Sequence, residues 1–211
     1  MPHLVQGGLG LPDRDDYLAP AGAEHRAAYR AHIVAVLKLA GLAEPEARAE
    51  RVLALETAIA RTHLSADDIA DVFKTDNPWR RADFDAKAPG MVWSAYFKSA
   101  GLERQGDFLL WEPLAVIGTS ALVAAQPLDA WKDYIAFHLI EHYAAVLPKA
   151  FADEHTAFAA SLSGTPTPTA LPGPWPPRTP CSASASAVST PRAISRPRPK
   201  PRPPRWWKTS A

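Results

Sequence analysis

Acidic residues stop at Glu154. All 22 aspartates and glutamates of the 211-residue chain lie at or before that position, and 13 of its 22 prolines crowd between Pro166 and Pro204. One packed core cannot run through such a sequence, because a stretch rich in Pro, Ser and Arg lacks both the apolar periodicity and the backbone donors that folding needs. The near-neutral total conceals two parts. Residues 1–154 carry 15 Lys and Arg against 22 acids, a net of −7, whereas residues 155–211 carry eight cations and no acid. The chain therefore reads as a folded body over residues 1–165 and a low-complexity, disordered Pro/Arg-rich tail over residues 166–211.

The body reads as helix after helix. Tyr29, Ile33, Val36 and Ala40 advance by four, three and four, the stripe of a half-buried helix, and Gly41 caps it. Pro45 opens a second helix with the stripe Val52, Leu55 and Ile59. Ser65 and Asp68 make a capping box for a short third helix that ends before Asn77-Pro78. Pro89-Gly90 opens a fourth, with Val92, Tyr96 and Phe97 inward and Gly101 closing it. Pro113 and Pro127 open two longer helices, the second running to Pro148. Residues 107–111 suit a brief strand, but strands and helices do not alternate, so a parallel sheet is not expected. The fold class is all-α.

The opening block, Gln6-Gly7-Gly8-Leu9-Gly10-Leu11-Pro12-Asp13-Arg14-Asp15-Asp16-Tyr17-Leu18, is a shaped Gly-rich loop that runs into a helix start with acids on its favourable side. It resembles the G-L-G-L-P-D-R-D-Y-Y-L signature of the neprilysin-like zinc metallopeptidases, which include the endothelin-converting enzymes and bacterial PepO-type oligopeptidases. Asp16 stands where that family usually has its first tyrosine. Further blocks follow in order: Arg48–Ala60 resembles A-R-V-L-A-L-E-T, and Trp131-Lys132-Asp133-Tyr134 resembles W-K-D-Y. Leu147–Phe151 and Leu162–Thr165 match as well, while Val72–Arg81 departs. The resemblance covers about residues 6–165 and implies a piece of the family's N-terminal helical domain. That domain encloses a chamber over a zinc-dependent catalytic domain that cuts short peptides.

The sharpest chemical signal is His138-Leu139-Ile140-Glu141-His142. As H-x-x-E-H it offers two histidines on one helical face and a glutamate base, the inverted zincin pattern. A hydrolytic zinc also needs a third protein ligand, and nothing acidic follows Glu154. The competing reading makes His138 and His142 packing residues on a stripe with Trp131, Ile135 and Ala145, with Glu141 in solvent or paired to a neighbouring helix. The packing reading is preferred, so no catalytic or metal residue is assigned, and the substrate-binding residues are unknown. The resemblance agrees, because the family's catalytic H-E-x-x-H does not occur here. Zinc would belong to the parent protein, as would peptide substrates, and this chain's partner would be the missing catalytic domain. Trp79, Trp93, Trp111 and Trp131 read as core anchors. Arg80-Arg81 reads as a solvated helix face, and His25, His32 and His63 lack metal spacing.

The tail admits three readings. Arg198, Pro201 and Pro204 suit a basic polyproline ligand for an Src-homology-3 domain, and the cations with Trp206-Trp207 suit a nucleic-acid grip. Neither convinces, and no membrane partner is indicated. Out-of-frame translation from about Thr165 onward is the third, and it is preferred. Back-translated from the third base of the Ala193 codon, one choice of codons gives YFPPEAKATAAEMVENL, which resembles the family's continuation after L-S-G-T. The single Cys181 excludes an intrachain disulfide. No signal peptide opens the chain and no run approaches a membrane span, so on its own terms it reads as soluble and intracellular. The family is commonly extracytoplasmic, which makes the start of the domain absent here. Three function classes follow: an inactive peptidase fragment, a zinc hydrolase using His138, Glu141 and His142, or a binding protein presenting its tail. The first is preferred.

Overall fold

The computed structural model of the chain describes residues 1–163. The expectations for the tail, its disorder, its ligands and its reading frame, lie outside the described residues. Within them the all-α expectation holds, with a three-stranded sheet added.

Helix α1 (Arg14–Leu18) starts at Asp13, whose side chain accepts the Asp15 amide while Asp16 accepts the Asp13 amide. This reciprocal box satisfies two orphan donors. Helices α2 (Ala23–Leu39) and α3 (Pro45–Ala60) follow as the apolar spacing predicts, and Tyr29, Ile33, Val36, Val52, Leu55 and Ile59 are all buried. Gly41 stands at φ +68°, the left-handed cap that ends α2. Two single-turn helices come next, α4 (Ala66–Ile69) and α5 (Val72–Thr75). Ser65 accepts the Asp68 amide as a cap, but its hydroxyl donates to the Asp68 carboxylate, so the expected reciprocal box is only half formed.

The strands are short. β1 (His3–Leu4), β2 (Asn77–Arg80) and β3 (Asp107–Leu110) lie in the order β1-β3-β2. β2 runs antiparallel to β3 with Trp79 opposite Phe108, and β1 runs parallel to it with Leu4 opposite Leu110. Pro78 is tolerated because β2 is an edge strand. Between β2 and β3 lie α6 (Arg81–Lys87), which the sequence did not announce, and α7 (Trp93–Ser99). In α7 the inward residues are Trp93 and Phe97. Val92 and Tyr96, expected inside, are exposed: the helix starts only at Trp93, three residues after Gly90, and the face it buries is the one carrying Trp93 and Phe97, four residues apart.

Helix α8 (Pro113–Ala125) precedes α9 (Leu128–His142). The latter stops at His142 instead of running to Pro148; a 3₁₀ turn over Ala144–Val146 leads into α10 (Lys149–Ser163). One core gathers Tyr17, Tyr29, Ile33, Val36, Val52 and Phe137 from α1, α2, α3 and α9, with Phe158 of α10 against it. A second gathers Trp79, Phe84, Trp93, Phe97 and Phe108 around the sheet. No helix among the described residues is long and apolar enough to cross a membrane.

Candidate functional site

The opening block is seated on a buried carboxylate. Glu56 is one step off the apolar stripe of α3 and fully buried. A carboxylate there costs several kcal/mol unless donors fill its lone pairs, and four do. Tyr17 Oη donates to Oε2 at 2.5 Å and the Gly10 amide to the same atom at 3.1 Å. Tyr29 Oη donates to Oε1 at 2.8 Å, and His138 Nε2 lies 2.8 Å from it. Tyr17 Oη also accepts from the amides of Gly10 and Leu11, at 3.0 and 2.8 Å.

Burial first, and then the charge of Glu56, push both phenols far above the usual tyrosine range, so they stay protonated donors. Tyr134, raised to about 12 by the same two causes, donates to the Gly8 carbonyl at 2.9 Å. A Cβ on Gly10 would lie 1.8 Å from Tyr29 Oη, so only glycine lets the loop come this close. Asp16, the departure from the family signature, caps α1 and also binds His25 Nδ1 at 2.7 Å.

The H-x-x-E-H residues point to three different neighbours. His138 is held by Glu56. His142 is exposed, its ring edge against Tyr143. Glu141 sits between His32 Nε2 at 3.1 Å and His155 Nδ1 at 2.7 Å. Burial opposes its ionisation, but those two imidazoles outweigh it and hold the carboxyl below its ordinary range. His32 is itself buried, stacked on Phe158 with 4.2 Å between centroids and with Nδ1 3.1 Å from Glu154. Glu141 thus pairs with neighbouring helices, as one branch of the packing reading has it. The stripe proposed with it fails, because Ile135 is exposed and the inner face of α9 carries Ala130, Asp133 and Phe137. Among the described residues no three His, Cys, Asp or Glu side chains converge on a point where an ion could sit.

Asp133, in the W-K-D-Y block, is buried and clamped by two guanidiniums of α3: Arg51 Nε at 2.6 Å and Arg48 Nη1. Neither Glu56 nor Asp133 was singled out from the sequence. An acid within one residue of an apolar stripe does not announce its burial, because acids at such positions are mostly exposed unless partners from other elements meet them. Trp79 and Trp93 are core anchors as expected, whereas Trp111 is exposed and Trp131 half-buried. Arg81 is not solvated in the expected way: its guanidinium lies 4.7 Å from the Phe97 ring centre and donates to the carbonyls of Leu102 and Glu103.

Beside the loop are two adjoining clefts. One, of about 290 Å³, is lined by Leu4, Met91, Trp93, Tyr96 and Val116. The other, of about 250 Å³, is lined by Leu11, Arg14, Leu64 and Ile69. Gln6, Gly7 and His63 border both. Burial, and then the Arg14 charge, hold the His63 imidazole below its ordinary range, so it is neutral at physiological pH. The larger cleft can accept an apolar side chain. It offers no charged group to activate water or to stabilise a transition state.

The family model described as peptidase family M13, in its N-terminal form, matches residues 1–183. Among solved structures, the cryo-EM structure of the Mycobacterium tuberculosis zinc metalloprotease Zmp1 in its open state superposes with a TM-score of 0.74 at 26% identity. The match covers 78% of this chain and 26% of that one. The crystal structure of Zmp1 with an inhibitor gives a TM-score of 0.72 at 25% identity, over 76% of this chain and 25% of the other. The chain spans about a quarter of the length of the solved structures it matches.

Proposed function

Because the chain belongs to peptidase family M13, we propose that it is a non-catalytic piece of the N-terminal helical domain of a neprilysin-like zinc metallopeptidase, forming part of the wall of a chamber in which short peptides are cut. The match of residues 1–183 to the N-terminal family model carries this reading. The quarter-length coverage of Zmp1 supports it. So does the polar chemistry: the buried acids Glu56 and Asp133 are consumed in holding helices together, and the third, Glu112, accepts the Leu64 amide.

Zinc does not fit the donors present. His138 is committed to Glu56, His142 stands exposed, and Glu141 faces two imidazoles on other helices. The ion, the base and the groups that polarise a scissile carbonyl act together in a metallopeptidase; here they belong to the remainder of a full-length protein, whose peptide substrates they would meet. Alone, the 211-residue chain is inactive. Incubating the purified chain with internally quenched peptides, with added zinc and with a chelator, tests this. No turnover above a boiled control is the expected result. Chelator-sensitive hydrolysis that His142→Ala abolishes would overturn it in favour of the H-x-x-E-H site.

A further inference from the structure

Helix α9 is apolar on two opposite sides, and only one of them is covered. Its inner side, centred on Ala130 and Phe137, packs into the cores shared with α2 and α3. At about 100° per residue, Leu128, Ile135 and Leu139 fall within about 20° of one line on the far side. These three are 67%, 58% and 56% exposed. A single exposed leucine is ordinary, but an aligned stripe twelve residues long, about 17 Å, is not. The preceding helix α8 has no charged residue in its 13 positions and leaves Leu114 62% exposed. Helices apolar all round are interior helices.

We propose that the Leu128–Ile135–Leu139 stripe is an internal packing face, covered in a full-length M13 protein by an amphipathic α-helix from the three quarters absent from this chain. This rests on the reading given under Proposed function. Two observations select that occupant. The spacing of seven and then four residues is that of a ridge received by a helical partner. The second is in the sequence: from Pro166 onward no proline-free run reaches twelve residues, the length of the stripe, which points to a helix from outside this chain. Lys132, exposed and paired to Asp129 at 3.2 Å, falls about 20° from Leu139 on the same wheel, so the stripe carries one polar head between Leu128 and Ile135.

The test places Ile135→Glu with Leu139→Glu in the full chain, and glutamates at the two structurally equivalent positions of full-length Zmp1. In the isolated chain the pair is expected to leave the Tm within about 2 °C, because both positions face solvent, and light scattering should report a monomer before and after. In Zmp1 the same pair should lower the Tm by several degrees. An unchanged Zmp1 Tm overturns the proposal. So does a falling Tm in the chain itself, which would mean that its own residues 164–211 or a second copy cover the stripe; the measured mass separates those two. Peptide hydrolysis by the isolated chain would sink the non-catalytic reading, and it is read in a different assay.

Discussion

At the scale of single residues the molecule turns on Glu56. Its two oxygens take four donors from α1, α2, α9 and the opening loop, so its removal strands two phenols and an amide in a dry interior. Glu56→Ala should cost about 3 kcal/mol, read as a lower urea midpoint with an unchanged slope. A midpoint within error of wild type would show that the hub is not holding the loop. His63 makes a pH-dependent prediction. The unfolded imidazole takes its proton near pH 6.5 and the folded one only at lower pH, because burial disfavours its charge. The stabilisation is therefore complete above pH 6.5 and is lost as pH falls through the folded value. His63→Gln should flatten the fall in stability between pH 7 and pH 5, and denaturation curves across that range check it. Neither residue was legible in advance. An acid between Leu55 and Ile59 reads as the polar edge of a stripe, and only the tertiary fold reveals the donors that make its burial tolerable.

At the scale of elements, what could be read depended on how many faces a helix buries. α2 and α3 present one apolar stripe each, and their spacing, the Pro45 start and the Gly41 stop place them correctly. α9 carries apolar residues on opposite sides, so periodicity could not say which side is inner, and the Ile135 side was chosen wrongly. The sheet escaped notice because its strands have two to four residues and one contains Pro78, too short for alternation to register. Only β3 was legible, as the run Asp107–Leu110. Caps were uneven signals: the Gly41 stop holds, the Ser65 box is half formed, and the Asp13 box of α1 was not read from the sequence. Asp13→Ala removes one half of the α1 box and should cost about 1 kcal/mol, seen as a Tm loss of a few degrees. If α1 is held by Tyr17 alone, the Tm will not move.

At the scale of the whole chain, similarity supplied what periodicity could not. Several short blocks in order pointed to the family, and the model for that family runs past the compositional boundary near residue 165 to residue 183. The described body contains two aromatic-rich cores, one among the long helices and one around the sheet. The Glu56 hub also has a bearing on synthesis. Its last donor, His138, lies 82 residues farther along the chain. A ribosome adding about 5–20 residues per second needs about 4–16 s to cover that interval. Throughout it the nascent acid has no imidazole opposite it, so the opening loop waits, within reach of chaperones, for a helix not yet made.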